Sequence, residues 1–188
     1  MAIIAVALFG ILVILVIVGV VFLAMTYNRL VRRRNEVDNA WAQIDVQLKR
    51  RFDLIPNLVE TVRGYAAHER QTLEAVVAAR AGAINATGPV QRAQAEGALT
   101  GALKSLFAVA EAYPELKANQ NFLGLQEELS ATESRIGYTR QYYNDAVLTY
   151  NNAIQTVPTS LFAGSLGFRA REYFQTPGDQ RGPVQVRF

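Results

Sequence analysis

The chain has 188 residues, a net charge of +3, one histidine and no cysteine. The missing cysteine excludes disulfides, a thiolate nucleophile and zinc–cysteine sites, and the small net charge does not suggest a broad nucleic-acid surface. The informative feature is where charge is absent.

No charged side chain occurs before Arg29. The run AIIAVALFGILVILVIVGVVFLAM is long enough to cross a membrane, since about 20 apolar residues span roughly 30 Å. A buried soluble helix seldom stays apolar on every face for this long. A cleaved signal peptide normally has a basic start and a shorter apolar core, whereas MAIIAV has no Lys or Arg. The expectation is an uncleaved anchor over residues 1–28.

Arg29, Arg32, Arg33 and Arg34 crowd the C-terminal side of that run, and Tyr27 stands at its exit. The positive-inside tendency puts the N-terminus outside and the rest in the cytoplasm. The basic cluster is short for a lipid-recognition patch, which favours an orienting role. The expected setting is a single-pass membrane protein with the lipid bilayer as its first partner.

Residues 28–83 read as one long helix or two nearly collinear ones, long enough to reach beyond the bundle or to fold back at a kink. Val37, Trp41, Ile44, Leu48, Phe52, Ile55, Val59 and Val62 keep three- and four-residue spacing. Pro56 interrupts this face. Its ring removes a backbone donor and collides with the carbonyl of Phe52, which costs about 3 kcal/mol or more inside a helix. It marks a hinge or partner notch, a bend that lets a long helix follow its bundle, or a restart capped by Asp53. Trp41 reads as core. Asp38, Asp45, Arg50, Arg51, Asp53 and Arg63 read as the polar sides of this helix, where ion pairs contribute about 0–1 kcal/mol each.

Asn85, Gly88 and Pro89 form a stop, and a second helix is expected over about 90–112, closed by Pro114. A third, from near 121 to near 156, carries a seam of Phe122, Leu125, Leu129, Thr132, Ile136, Thr139, Tyr143, Ala146, Tyr150 and Ala153. A short helix around 160–166 precedes Gly167. The tail, residues 168–188, reads as extended. The fold class is all-α: an N-terminal transmembrane helix followed by an antiparallel bundle of long helices over 29–167.

Tyr143-Asn144 and Tyr150-Asn151 repeat at heptad spacing, so like residues share a face. They read as seam tyrosines with amides that pair to neighbouring helices, or as a peptide-binding groove. A di-metal bundle site wants Glu-x-x-His on two helices, and only His68 is present, followed by Glu69. No phosphate loop, dinucleotide fingerprint or Gly-x-Ser-x-Gly occurs. Catalytic, cofactor and metal residues are therefore all expected to be none.

The order of parts resembles the LemA family of bacterial membrane proteins. The blocks that carry it are RRFDLIPNLVETV, the stretch from AYPELKANQNFLGLQEEL to YNDAVLTYNNAIQTVP, and the closing GFRAREYF. The resemblance implies a single N-terminal span, a cytoplasmic helical bundle and no assigned enzymatic activity. It also implies a link to membrane protein quality control or stress, with a membrane metallopeptidase among the partners. The function expected is a membrane-anchored scaffold or adaptor that contacts other membrane proteins or further copies of itself. A membrane signal sensor, or a metal-binding or enzymatic bundle, is the alternative.

Overall fold

The computed structural model describes residues 2–175, the side chains of 2, 5 and 6 excepted. Five α-helices make up most of it: α1 (Ala2–Tyr65), α2 (Arg70–Asn85), α3 (Gly88–Glu111), α4 (Pro114–Lys117) and α5 (Gln120–Gln155), with a 3-10 turn at Thr159–Leu161. No strand occurs among the described residues. The chain divides into two compact units. One joins the residues up to Asn39 with Ala146–Arg171, and the other joins Ala40–Asp145 with the chain from Glu172.

In the first unit, the start of α1 is apolar and unburied. Its most apolar stretch buries none of its surface within the protein, and this is one helix long and apolar enough to cross a membrane. Burial begins with Leu30 and Val37. Their neighbours in this unit's core are Val147, Tyr150 and Ile154 from α5, then Ala163 and Phe168. Gly167 takes φ +81, a left-handed conformation that side chains disfavour. The Phe168 N–H then reaches back to the Ala163 carbonyl at 3.0 Å.

The second unit is a four-helix antiparallel bundle, and side-chain pairs give its directions. Asp45 pairs with Arg92 and Arg51 with Glu96, so α3 runs with α1. Trp41 meets Tyr143 and Arg50 meets Glu128, so α5 runs against both. Arg80 reaches the Phe52 carbonyl from α2, which folds back along α1. The core between them includes Ile44, Leu48, Ile55, Leu58, Leu99 and Leu106, all fully buried.

Over 28–83 the chain is not one collinear helix but takes the other course open to it and folds back as a helical hairpin. Residues 66–69 break it, just after Gly64. Ala66 is buried in the turn, and Glu69 N–H bonds to its carbonyl at 3.1 Å. A bundle of short turns buries more apolar surface than a helix that overshoots its partners. Helices α3 and α5 lie within two residues of their expected bounds. The expected helix at 160–166 is only the 3-10 turn and further turns. Residues 168–175 form neither helix nor strand, and residues 176–188 of the expected tail lie outside the described residues.

Helix α1 passes through Pro56 without a break, so the helix does not restart there. The carbonyl that Pro56 orphans, at Phe52, accepts the Arg80 Nε–H at 2.8 Å. A side chain from the next helix replaces the missing backbone donor. Arg80→Met should therefore cost about 1–3 kcal/mol, the penalty for a polar group left unpaired. In a Pro56→Ala background, residue 56 regains its N–H and the same change should cost less than about 1 kcal/mol. Guanidinium unfolding of the four variants in detergent checks this. Equal costs in both backgrounds would sever Arg80 from the proline.

Candidate functional site

Arg51 is the main departure from the expected polar surface, because only 3% of it is exposed. It lies one turn beyond Leu48, on the row that packs inward. Its Nη1 bonds to Glu96 Oε2 at 2.8 Å and to Glu133 Oε2 at 3.0 Å. Its Nη2 donates to Thr100 Oγ1 at 2.9 Å. One guanidinium of α1 thus meets α3 twice and α5 once. Glu96 is also buried, while Glu133 is half exposed. Burial pushes the Glu96 carboxyl above its usual range, against the opposing pull of Arg51, and nearby Glu133 adds to the rise.

Beside this group lies a cleft of about 350 Å³. Leu103, Phe107 and Leu129 supply its apolar wall, and Arg51, Lys104 and Glu133 its charges. It can hold a side chain that brings both an apolar body and a polar tip. The sequence signal was available: Glu96 sits at three-residue steps from Ala93 and Leu99, inside the apolar row of α3. Opposite charges inside two apolar rows mark such a pair.

The Tyr-Asn repeat does pair by its amides, but with non-helical backbone beyond α5 rather than with helices. In the second unit, Asn144 Nδ2 donates to the Phe174 carbonyl at 3.2 Å, and Phe174 N–H donates to Asn144 Oδ1 at 2.9 Å. Tyr143 donates its hydroxyl proton to the Glu172 carbonyl at 2.8 Å. In the first unit, Asn151 makes the same two bonds with Arg171, each 2.9 Å. Tyr150 is buried, and that burial pushes its hydroxyl pKa up.

Two phenylalanines anchor this segment. Phe174 lies 6.1 Å from the Trp41 ring, with the Arg140 guanidinium 4.8 Å from its own centroid. Phe168 lies 5.6 Å from the Tyr27 ring, with Arg34 over it at 5.6 Å. Tyr27 and Arg34 thus hold the chain's own tail. Arg171 also pairs with Asp38 at 2.9 Å. Arg32 is exposed, whereas Arg29 and Arg33 line a cavity described below. Pro56 is exposed on α1, and His68 is exposed in the 66–69 turn. No cluster able to hold a metal ion occurs among the described residues.

An apolar spanning-length helix that also supplies the core of a helical bundle defines a membrane-associated helical protein. The LemA family model matches residues 40–188, so the chain belongs to the LemA family. It is 30% identical over 163 residues to Protein LemA of Metamycoplasma hominis, covering 85% of this chain and 73% of that protein. It is 29% identical over 195 residues to magnetosome proteins MamQ 1 and MamQ 2 of Paramagnetospirillum magneticum, covering 90% of this chain and 72% of each.

If the amide pairs hold the tail, Asn151→Ala should free the backbone at Arg171. Losing paired bonds of this kind corresponds to about a tenfold rise in the open population. Trypsin cleavage after Arg171 should quicken by about that factor while helix content stays constant. An unchanged cleavage rate would remove the amide from that role.

Proposed function

We propose that the chain is a membrane-anchored scaffold or adaptor. It is read as an anchor over residues 1–28, a cytoplasmic bundle over 29–167 and a tail over 168–188. One observation carries the reading: α1 is a single helix from Ala2 to Tyr65, apolar and unburied at its start and core-forming further on. A bundle attached in this way presents its surfaces at the membrane. The cleft beside Arg51 and the exposed ring of Pro56 offer partner proteins an apolar wall, fixed charges and a notch. The tail held by the Tyr-Asn pairs adds an extended segment to that surface. Family resemblance supports links to membrane protein quality control or stress, with a membrane metallopeptidase and further copies of the chain among the partners.

The orientation proposed, N-terminus outside, rests on the four arginines that follow the apolar run. The chain has no cysteine, so a single introduced one is a unique label. Tyr138→Cys suits this, being 75% exposed. An impermeant maleimide should label it only after the cells are permeabilised, and photo-cross-linking from the same position should capture other membrane proteins. Labelling in intact cells would reverse the orientation. Cross-links no more frequent than those of an unrelated anchored bundle would remove the scaffold reading.

A further inference from the structure

A cavity of about 550 Å³ opens in the first unit, where the apolar stretch of α1 ends. Arg29 and Arg33 line it, one helical turn apart and so on one face of α1. The same face carries Phe22, Met25 and Thr26, which also line it. The opposite wall, from the end of α5 and the turn beyond, offers the Asn152 amide and the hydroxyls of Thr156 and Thr159. No acidic side chain lines the cavity. Among the described residues, neither Arg29 nor Arg33 meets a carboxylate within 4.0 Å. The carboxylates nearest in sequence are Glu36 and Asp38, and Asp38 is paired with Arg171.

We propose that this cavity binds the phosphodiester headgroup of an anionic phospholipid, with Arg29 and Arg33 as its cation pair. Two guanidiniums present forked donors that match phosphate oxygens. The amide and hydroxyls fill the remaining acceptor positions. Charge selects the ligand class: a zwitterionic headgroup would bring its ammonium among like charges. The apolar wall selects a lipid over free phosphate. Phe22 and Met25 are 44% and 65% exposed and lie four to seven residues before Arg29, the nearer of the two arginines. That is about 6–10 Å along a helix at 1.5 Å per residue, a suitable offset between the start of the acyl chains and the phosphate. The volume falls within the roughly 300–1,000 Å³ of small-ligand sites, and basic pockets beside membrane helices are known to take anionic headgroups. The arginines thus do more than orient the chain. The inference rests on α1 crossing a bilayer, but not on which side the bundle faces.

The test uses the full chain in detergent with equal amounts of dioleoyl phosphatidylglycerol and dioleoyl phosphatidylcholine. Native mass spectrometry counts the lipids retained. The wild type should keep one phosphatidylglycerol, favoured over phosphatidylcholine by roughly tenfold or more. Arg29→Gln/Arg33→Gln should lose that preference with circular dichroism unchanged, and Arg32→Gln, outside the cavity, should keep it. Thr156→Val, which alters no charge, should weaken retention. Equal retention of the two lipids would overturn the proposal. So would an Arg32→Gln loss as large as that of the double variant, which would mean diffuse attraction to the surface. Displacement of the lipid by millimolar inorganic phosphate would reassign the cavity to free phosphate.

Discussion

A guanidinium withdrawn from water at position 51 must find compensation for lost hydration, and it takes it from two helices at once. Glu96 and Thr100 come from α3, and Glu133 comes from α5. The next residue, Phe52, has a carbonyl that Pro56 leaves without a backbone donor, and Arg80 of α2 fills it. Two adjacent positions of α1 therefore tie it to all three other long helices of the bundle. Magnitudes separate these ties from the surface pairs. Removing one partner of a buried ion pair costs about 3–5 kcal/mol, whereas an exposed pair such as Arg50–Glu128 contributes about 0–1 kcal/mol. Apolar burial supplies most of the stability, and the polar ties choose which packing of the helices is allowed.

The chain beyond α5 is secured by a different device. Each Tyr-Asn step of α5 presents an amide that reads a backbone N–H and C=O together. Each unit also places a phenylalanine between an aromatic ring and an arginine. The amides read only backbone groups, while the side chains of the same segment add their own contacts: Phe174 packs near Trp41, Phe168 near Tyr27, and Arg171 pairs with Asp38. A segment held this way adds surface to a helical bundle without adding another helix.

Much of the bundle was legible because apolar periodicity reports helix faces. All ten positions of the α5 seam, from Phe122 to Ala153, are buried or half-buried. The place of the hairpin turn, 66–69, was not legible, because apolar spacing persists across it and Gly64 alone is an ambiguous signal. Arg51 was misassigned to the surface because charge was read as exposure. Its place in the Leu48 row, and that of Glu96 in the Leu99 row, carried the contrary signal. The resemblance contained the pieces of the tail clasp, in the Tyr-Asn repeat and GFRAREYF. Their pairing stayed hidden because an amide that binds backbone leaves no complementary side chain in the sequence. The Phe52 carbonyl needed a partner from somewhere, but only the fold could say that Arg80 supplies it.

A double-mutant cycle on Arg51 and Glu96 tests the central dependence most directly, with unfolding free energies measured on the full chain in detergent. Arg51→Met and Glu96→Met should each cost about 3–5 kcal/mol, the second toward the lower end because Glu133 stays beside Arg51 at 3.0 Å. The double variant should cost far less than their sum, since two apolar side chains leave no unpaired charge in the core. Costs that add to within about 0.5 kcal/mol would show two independent sites. In that case the buried guanidinium would not be what joins α1 to α3.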